Sequence, residues 1–142
     1  MGDFSAFMAQ NKLKTENVKF VASKNFVGKD GKPMEWEIKQ IDSEVDESLR
    51  KSCTKQVKIS GRNRGFNLEF DQNAYIGKLA AACTVYPDLN DKDLQDSYHV
   101  MGSDSLLKKM LSIGEYADYC SKVVEINGFD SDVNELVEEA KN

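Results

Sequence analysis

A chain of 142 residues, 40% hydrophobic and 30% charged, has the length of one ordinary domain, whose folding hides roughly 68–70% of the surface the extended chain exposes. No stretch approaches the run of about 20 apolar residues that a membrane-spanning helix needs, so a membrane partner is not expected. The net charge of -5 hides an asymmetry: residues 1–70 carry 13 Lys/Arg against 10 Asp/Glu, and residues 71–142 carry 6 against 14. The acidic half repels phosphate backbones, so any nucleic-acid contact falls to the first half.

The amino terminus lacks a basic segment leading into an apolar core, and the reading therefore places the protein in the cytoplasm where it is made. Cys53, Cys83 and Cys120 are odd in number, widely spaced and never paired as C-x-x-C. That pattern argues against a disulfide framework and a zinc site and for three reduced thiols.

In chain order, Asp3 is placed to cap a short helix bearing Phe4, Phe7 and Met8, a helical arm over residues 1–12. Val18, Phe20 and Ala22 alternate with polar neighbours, Gly28 to Pro33 supplies turn residues, and Met34, Trp36 and Ile38 alternate again, predicting a β-hairpin with one apolar face. Ser43 and Asp46 form a candidate capping box before Val45, Leu49 and Cys53 at helical spacing. A second hairpin is predicted from Val57 and Ile59, a turn-rich Ser60 to Gly65, and alternating Phe66, Leu68 and Phe70. Residues 16–70 thus read as hairpins plus one helix.

From Asp71 the strand signals give way to helical ones. Tyr75, Ile76, Leu79, Ala80, Ala82, Cys83, Val85 and Tyr86 form a wide apolar helical face that Pro87 should terminate, and the small side chains of Ala80 to Ala82 allow close helix approach. Asn90 with Asp93 marks the next start, ahead of Leu94, Tyr98 and Met101, with Gly102 as a stop. Ser103 or Ser105 begins a helix with Leu106, Leu107, Met110 and Leu111. Ser112 with Glu115 is a capping box ahead of Tyr116, Ala117, Cys120, Val123 and Val124, Gly128 ends that helix with Phe129 folding back, and Asp132 opens a last one with Val133, Leu136, Val137 and Ala140. The expected architecture is α+β and mostly α: amino-terminal hairpins followed by four or five short helices in an acidic region over residues 71–142, all in a single domain spanning 1–142.

Few of these residues fit catalysis. A Cys83/His99 dyad is formally available, but free cysteine on an apolar helical face is ordinarily a small core residue, and His99 sits at a predicted helix end. The carboxylates Asp88, Asp91, Asp93 and Asp96 surround a helix start, where exposed amides stabilise negative charge. A calcium loop beginning at Asp88 fails at Lys92, Asp93 and His99; one beginning at Asp130, with Asp132 and Asn134 as further ligands, fails at Glu135 and Lys141. Neither phosphate-loop nor dinucleotide glycine signatures occur. The expectation is no enzyme, no cofactor and no metal. The basic residues Arg50, Lys51, Lys55, Lys58, Arg62 and Arg64 carry the alternative reading, a small nucleic-acid-binding regulator, although solvated charge on a hairpin is the plainer account.

Several segments carry a family resemblance: Phe4 to Lys12, Val18 to Ser23, Gly31 to Glu37, Leu49 to Thr54, Ala81 to Met101, Leu106 to Leu111, Gly114 to Asp118 and Glu125 to Phe129. In them the chain resembles the XkdN-like tail assembly chaperones encoded by phages and phage-tail-like elements of Gram-positive bacteria. The resemblance implies a non-enzymatic assembly factor of the host bacterial cytoplasm, absent from the mature particle. It would bind the tape measure protein and keep it soluble while the tube assembles; contact with the tail tube protein and self-association are further expectations, and nucleic acid an unfavoured one. The client of such a chaperone exposes apolar helical stripes, so candidate contacts are Phe4, Phe7 and Met8 on the arm, Tyr75 and Leu79 on the alanine-rich helix, and Leu107, Met110 and Leu111.

Overall fold

The computed structural model of the chain describes residues 2–58 and 65–128. Strand β1 (Val18–Phe20) runs antiparallel to β2 (Trp36–Ile38), pairing Val18 with Ile38 and Phe20 with Trp36. The connection is closed by a bridge between Val27 and Pro33 and turns at Gly31, whose φ of 78° suits a residue without Cβ. Helix α1 (Ser43–Ser52) follows, then the ribbon of β3 (Thr54–Lys58) and β4 (Phe66–Phe70). The carboxy-terminal part is helical: α2 (Gln72–Cys83), α3 (Lys92–Ser97), α4 (Ser103–Met110) and α5 (Ile113–Ile126). The fold is α+β and mostly helical, with both amino-terminal hairpins in place.

Strand signals do not end at Asp71. The helix expected to run to Pro87 stops at Cys83, and Thr84–Tyr86 forms β5, which pairs antiparallel with β2 and completes a three-stranded sheet in the order β1-β2-β5. Two local causes are visible in the sequence. Thr84 and Val85 are β-branched, and the residue before a proline is driven out of the helical region. The tertiary cause is β2, whose free edge takes up Thr84 and Tyr86. The Tyr86–Pro87 peptide is cis.

The core lies between this sheet and the helices. Trp36 and Ile38 from β2 meet Tyr75, Ile76, Leu79, Ala80 and Cys83 of α2, Leu106 and Leu107 of α4, and Tyr119, Cys120, Val123 and Val124 of α5. Helix α2 is buried on several sides, and it packs against α1, α4 and α5. Gly77 sets the closeness of one contact, since a Cβ there would lie 2.9 Å from the Tyr116 hydroxyl. Aromatic rings tie sheet to helix, with Trp36 edge-on to Tyr119 at 5.3 Å between centroids.

Helix starts follow the expected chemistry with the cap shifted in two of them. In α1 the cap is Asp42, whose carboxylate accepts from Val45 N at 2.9 Å, and not the Ser43/Asp46 box. Asp46 is drawn instead toward Arg50 and Tyr75. In α3 the cap is Asp91, accepting from Leu94 N at 2.9 Å, rather than Asn90. The Ser112/Glu115 box of α5 forms as read, with Glu115 N donating to Ser112 Oγ at 3.3 Å and Ser112 N donating to Glu115 Oε1 at 2.9 Å. Helix α3 ends at Ser97, and His99 turns the chain at φ 58°, which leaves Met101 fully outside the stripe predicted for it. Gly128 ends α5 with φ 72°. Phe129 and the predicted helix from Asp132 lie outside the described residues.

Candidate functional surface

The cysteine and carboxylate stretch around Cys83 holds the groups from which chemistry could be built, and Cys83, Asp88 and Asp91 each have a structural task. Cys83 is fully buried at the end of α2, where its Sγ accepts from Asn127 Nδ2 at 3.4 Å. Burial pushes its thiol pKa up, away from the nucleophilic thiolate. Cys120 is pushed up to about 12 for the same reason. His99 is exposed at the helix end and is not the hydrogen-bond partner of Cys83. Asp88 accepts from Asn90 N at 3.0 Å within the turn, and Asp91 caps α3. Among the described residues no group of three His, Cys, Asp or Glu could hold a metal ion. The Asp130 to Asn134 segment lies outside them.

The arm is two 3-10 turns, Ser5–Phe7 and Ala9–Asn11, in place of one short helix. Asp3 starts it as expected, accepting from Ser5 N at 2.9 Å, and Asn11 Nδ2 donates back to Ser5 O at 2.8 Å. Its apolar side chains do not enter the core. Phe4 is 67% exposed, Phe7 82% and Met8 49%, and Leu13, not singled out from the sequence, is 90% exposed. Scattered surface leucines are common, whereas two phenylalanines, a methionine and a leucine exposed within ten residues are a concentration of apolar surface.

The helical candidates separate differently. Tyr75, Leu79, Leu107 and Leu111 are core residues, 0–6% exposed, and offer no surface to a client in this structure. The reason is the central position of α2: helical periodicity marks a buried face without saying whether a client or the chain's own α4 and α5 bury it. Met110 is half-buried and, with Phe26, Met34, Trp36, Tyr86, Pro87 and Leu94, lines a small apolar cavity of about 140 Å³. Residues from five separate segments meet there, and no spacing along the chain foretells it.

The basic segment is partly committed to the fold. Arg50 Nε pairs with Asp46 at 2.9 Å, its Nη2 reaches the Tyr75 hydroxyl at 3.2 Å, and its guanidinium lies 4.4 Å from the Tyr75 ring centroid. The Tyr75 hydroxyl in turn donates to Asp46. Lys51 lies 3.9 Å from Glu47 on the exposed side of α1. Lys55 and Lys58 remain exposed on β3, and Arg62 and Arg64 lie outside the described residues.

Cys83 and Cys120 are thus buried, Asp88 and Asp91 serve a turn and a helix cap, and the apolar side chains of the arm face outward. A family model of the phage XkdN-like tail assembly chaperone proteins matches residues 4–141, and the chain belongs to that family. It is similar to the phage-like element PBSX protein XkdN of Bacillus subtilis strain 168, at 37% identity over 141 residues that cover 99% of this chain and 94% of that protein. It is 36% identical to YqbN of the same strain over 141 residues, covering 99% and 93%. A crystal structure of the protein YqbN matches with a TM-score of 0.78 and 31% identity, covering 92% of this chain and 99% of that one. No helix among the described residues is long and apolar enough to cross a membrane.

Proposed function

We propose that this tail assembly chaperone binds the tape measure protein and holds it soluble in the host cytoplasm while tail tube subunits polymerise around it, leaving before the particle is complete and catalysing no reaction. The observation that carries this reading is the arm: Phe4, Phe7, Met8 and Leu13 are exposed together on a segment whose described residues bury nothing in the core. An extended helical client presents apolar stripes before assembly, and an arm of aromatic and methionine side chains can adapt to them at low specificity and still release. Half-buried Met110, beside the small apolar cavity, is a second candidate contact on the body of the protein.

The test is co-expression with the tape measure protein encoded in the same gene cluster. The client becomes soluble and co-purifies with the full chain, and deletion of residues 1–12 lowers its recovery at least several-fold while far-ultraviolet circular dichroism keeps its shape. A client that stays insoluble beside the intact chaperone overturns the proposal. Undiminished co-purification without the arm removes the arm from it.

A further inference from the structure

Phe66, Leu68 and Phe70 alternate along β4 and therefore share one face of the β3–β4 ribbon. Phe66 is 62% and Leu68 71% exposed. The ribbon is joined to the rest of the described chain at its base, where the Phe70 ring lies 5.4 Å from that of Tyr75 and Asp71 N donates to Cys53 O at 2.8 Å. A two-stranded ribbon alone is marginal in water; three or more strands with an apolar face are needed for independent stability.

The two outer edges of the ribbon are unlike. β3 carries Lys55 and Lys58, the residue type with which natural edge strands discourage pairing, whereas the only charge on β4 is Glu69. Among the described residues no strand other than β3 pairs with β4. We infer that β4 pairs with β4 of a second copy of this chain, antiparallel about a two-fold axis at Leu68, giving a four-stranded sheet in the order β3-β4-β4-β3. In that register Leu68 faces Leu68, Phe66 faces Phe70 and Asn67 faces Glu69 of the other copy. Directly opposed residues lie on the same face, so the two apolar stripes join into one surface of six side chains and no like charges meet.

Other pairings of the same ribbon do less well. β3 against β3 gathers Lys55 and Lys58 of both copies along one seam. β3 against β4 is head-to-tail and propagates beyond two copies into a ring or a filament, whereas the β4 pairing is isologous and stops at two copies. The self-complementary register selects a second copy over a helical client, because a helix cannot satisfy a strand edge. The inference stands independently of what the arm binds.

Sedimentation velocity over a concentration series tests it. The intact chain is dimeric; Leu68→Lys and Leu68→Glu each weaken dimerisation at least tenfold by opposing like charges at the axis, with an unchanged circular dichroism spectrum because Leu68 is exposed. An equimolar mixture of the two variants dimerises again, since lysine then faces glutamate. Leu68→Cys cross-links to itself under mild oxidation, opposed Cα atoms about 4.5–5.5 Å apart being within disulfide reach, and does so faster than Met101→Cys at a position 90% exposed elsewhere. A chain monomeric at every concentration, a dimer that both charge variants retain, or a mixture that stays monomeric overturns the inference, including the case in which another segment of the same chain covers the stripe.

Discussion

Single side chains in this protein are explained by what surrounds them more than by what they are. Cys83 and Cys120 look reactive in a sequence that also holds His99 and a run of aspartates, yet both thiols are buried and both pKa values are raised by desolvation. The consequence is measurable. At about pH 8 an alkylating reagent modifies none of the three buried thiols in the folded protein and all three when the chain is unfolded in urea, as intact mass reports. Rapid modification of Cys83 in the folded state would revive a catalytic role. The unfolded thiols of Cys83 and Cys120 ionise near about 8.5, the native ones only higher, so these groups favour the folded state up to the unfolded pKa and withdraw that support as pH rises above it.

At the scale of elements, one side-chain cluster ties α1 to α2 and to the ribbon. Asp46 and Arg50, one turn apart on α1, converge on the Tyr75 hydroxyl of α2, and Arg50 also lies 5.8 Å from the Phe70 ring centroid of β4. The Tyr75 hydroxyl bonds two charged groups at a partly buried site, and such bonds are worth more than neutral ones. Tyr75→Phe therefore keeps the packing and costs about 1.5–2 kcal/mol, read as a lower urea midpoint at unchanged slope. A midpoint equal to that of the unaltered protein would show the cluster to be solvent-equivalent. Elements were legible where a local code decides them: the Ser112/Glu115 box, the glycine stop at 128 and the alternation of Trp36 and Ile38. They were misread where a neighbour decides, as at Thr84 to Tyr86, which look like the end of a helix and are taken by β2 as a strand.

For the whole molecule, β5 changes what kind of unit the chain forms. Because the sheet contains a strand from beyond α2, the amino-terminal hairpin and the helices share one core, with Ile38 and Trp36 packed among α2, α4 and α5. We propose that residues 1–142 fold as a single cooperative domain. Trp36 is the only tryptophan and is 2% exposed, with Phe26 and Tyr119 beside it, so its fluorescence reports the sheet while circular dichroism reports the helices. Urea curves from the two probes coincide with one midpoint. Two separated midpoints would divide the chain into hairpin and helical units.

The sequence by itself determined the elements that hydrophobic period and cap chemistry encode, the α+β class, and, through residues spread along nearly the whole chain, the resemblance to tail assembly chaperones that the family match bears out. It also separated an acidic half from a basic one. Which apolar faces are spent inside was decided only by tertiary structure. Phe4 and Phe7 and the core pair Tyr75 and Leu79 all read as apolar positions in the sequence, but the first two stand in solvent and the others are buried in the core, Tyr75 against Arg50 of α1 and Phe70 of β4. Periodicity records that a face is apolar, and only the packing of other elements against it settles whether the fold or a partner covers it.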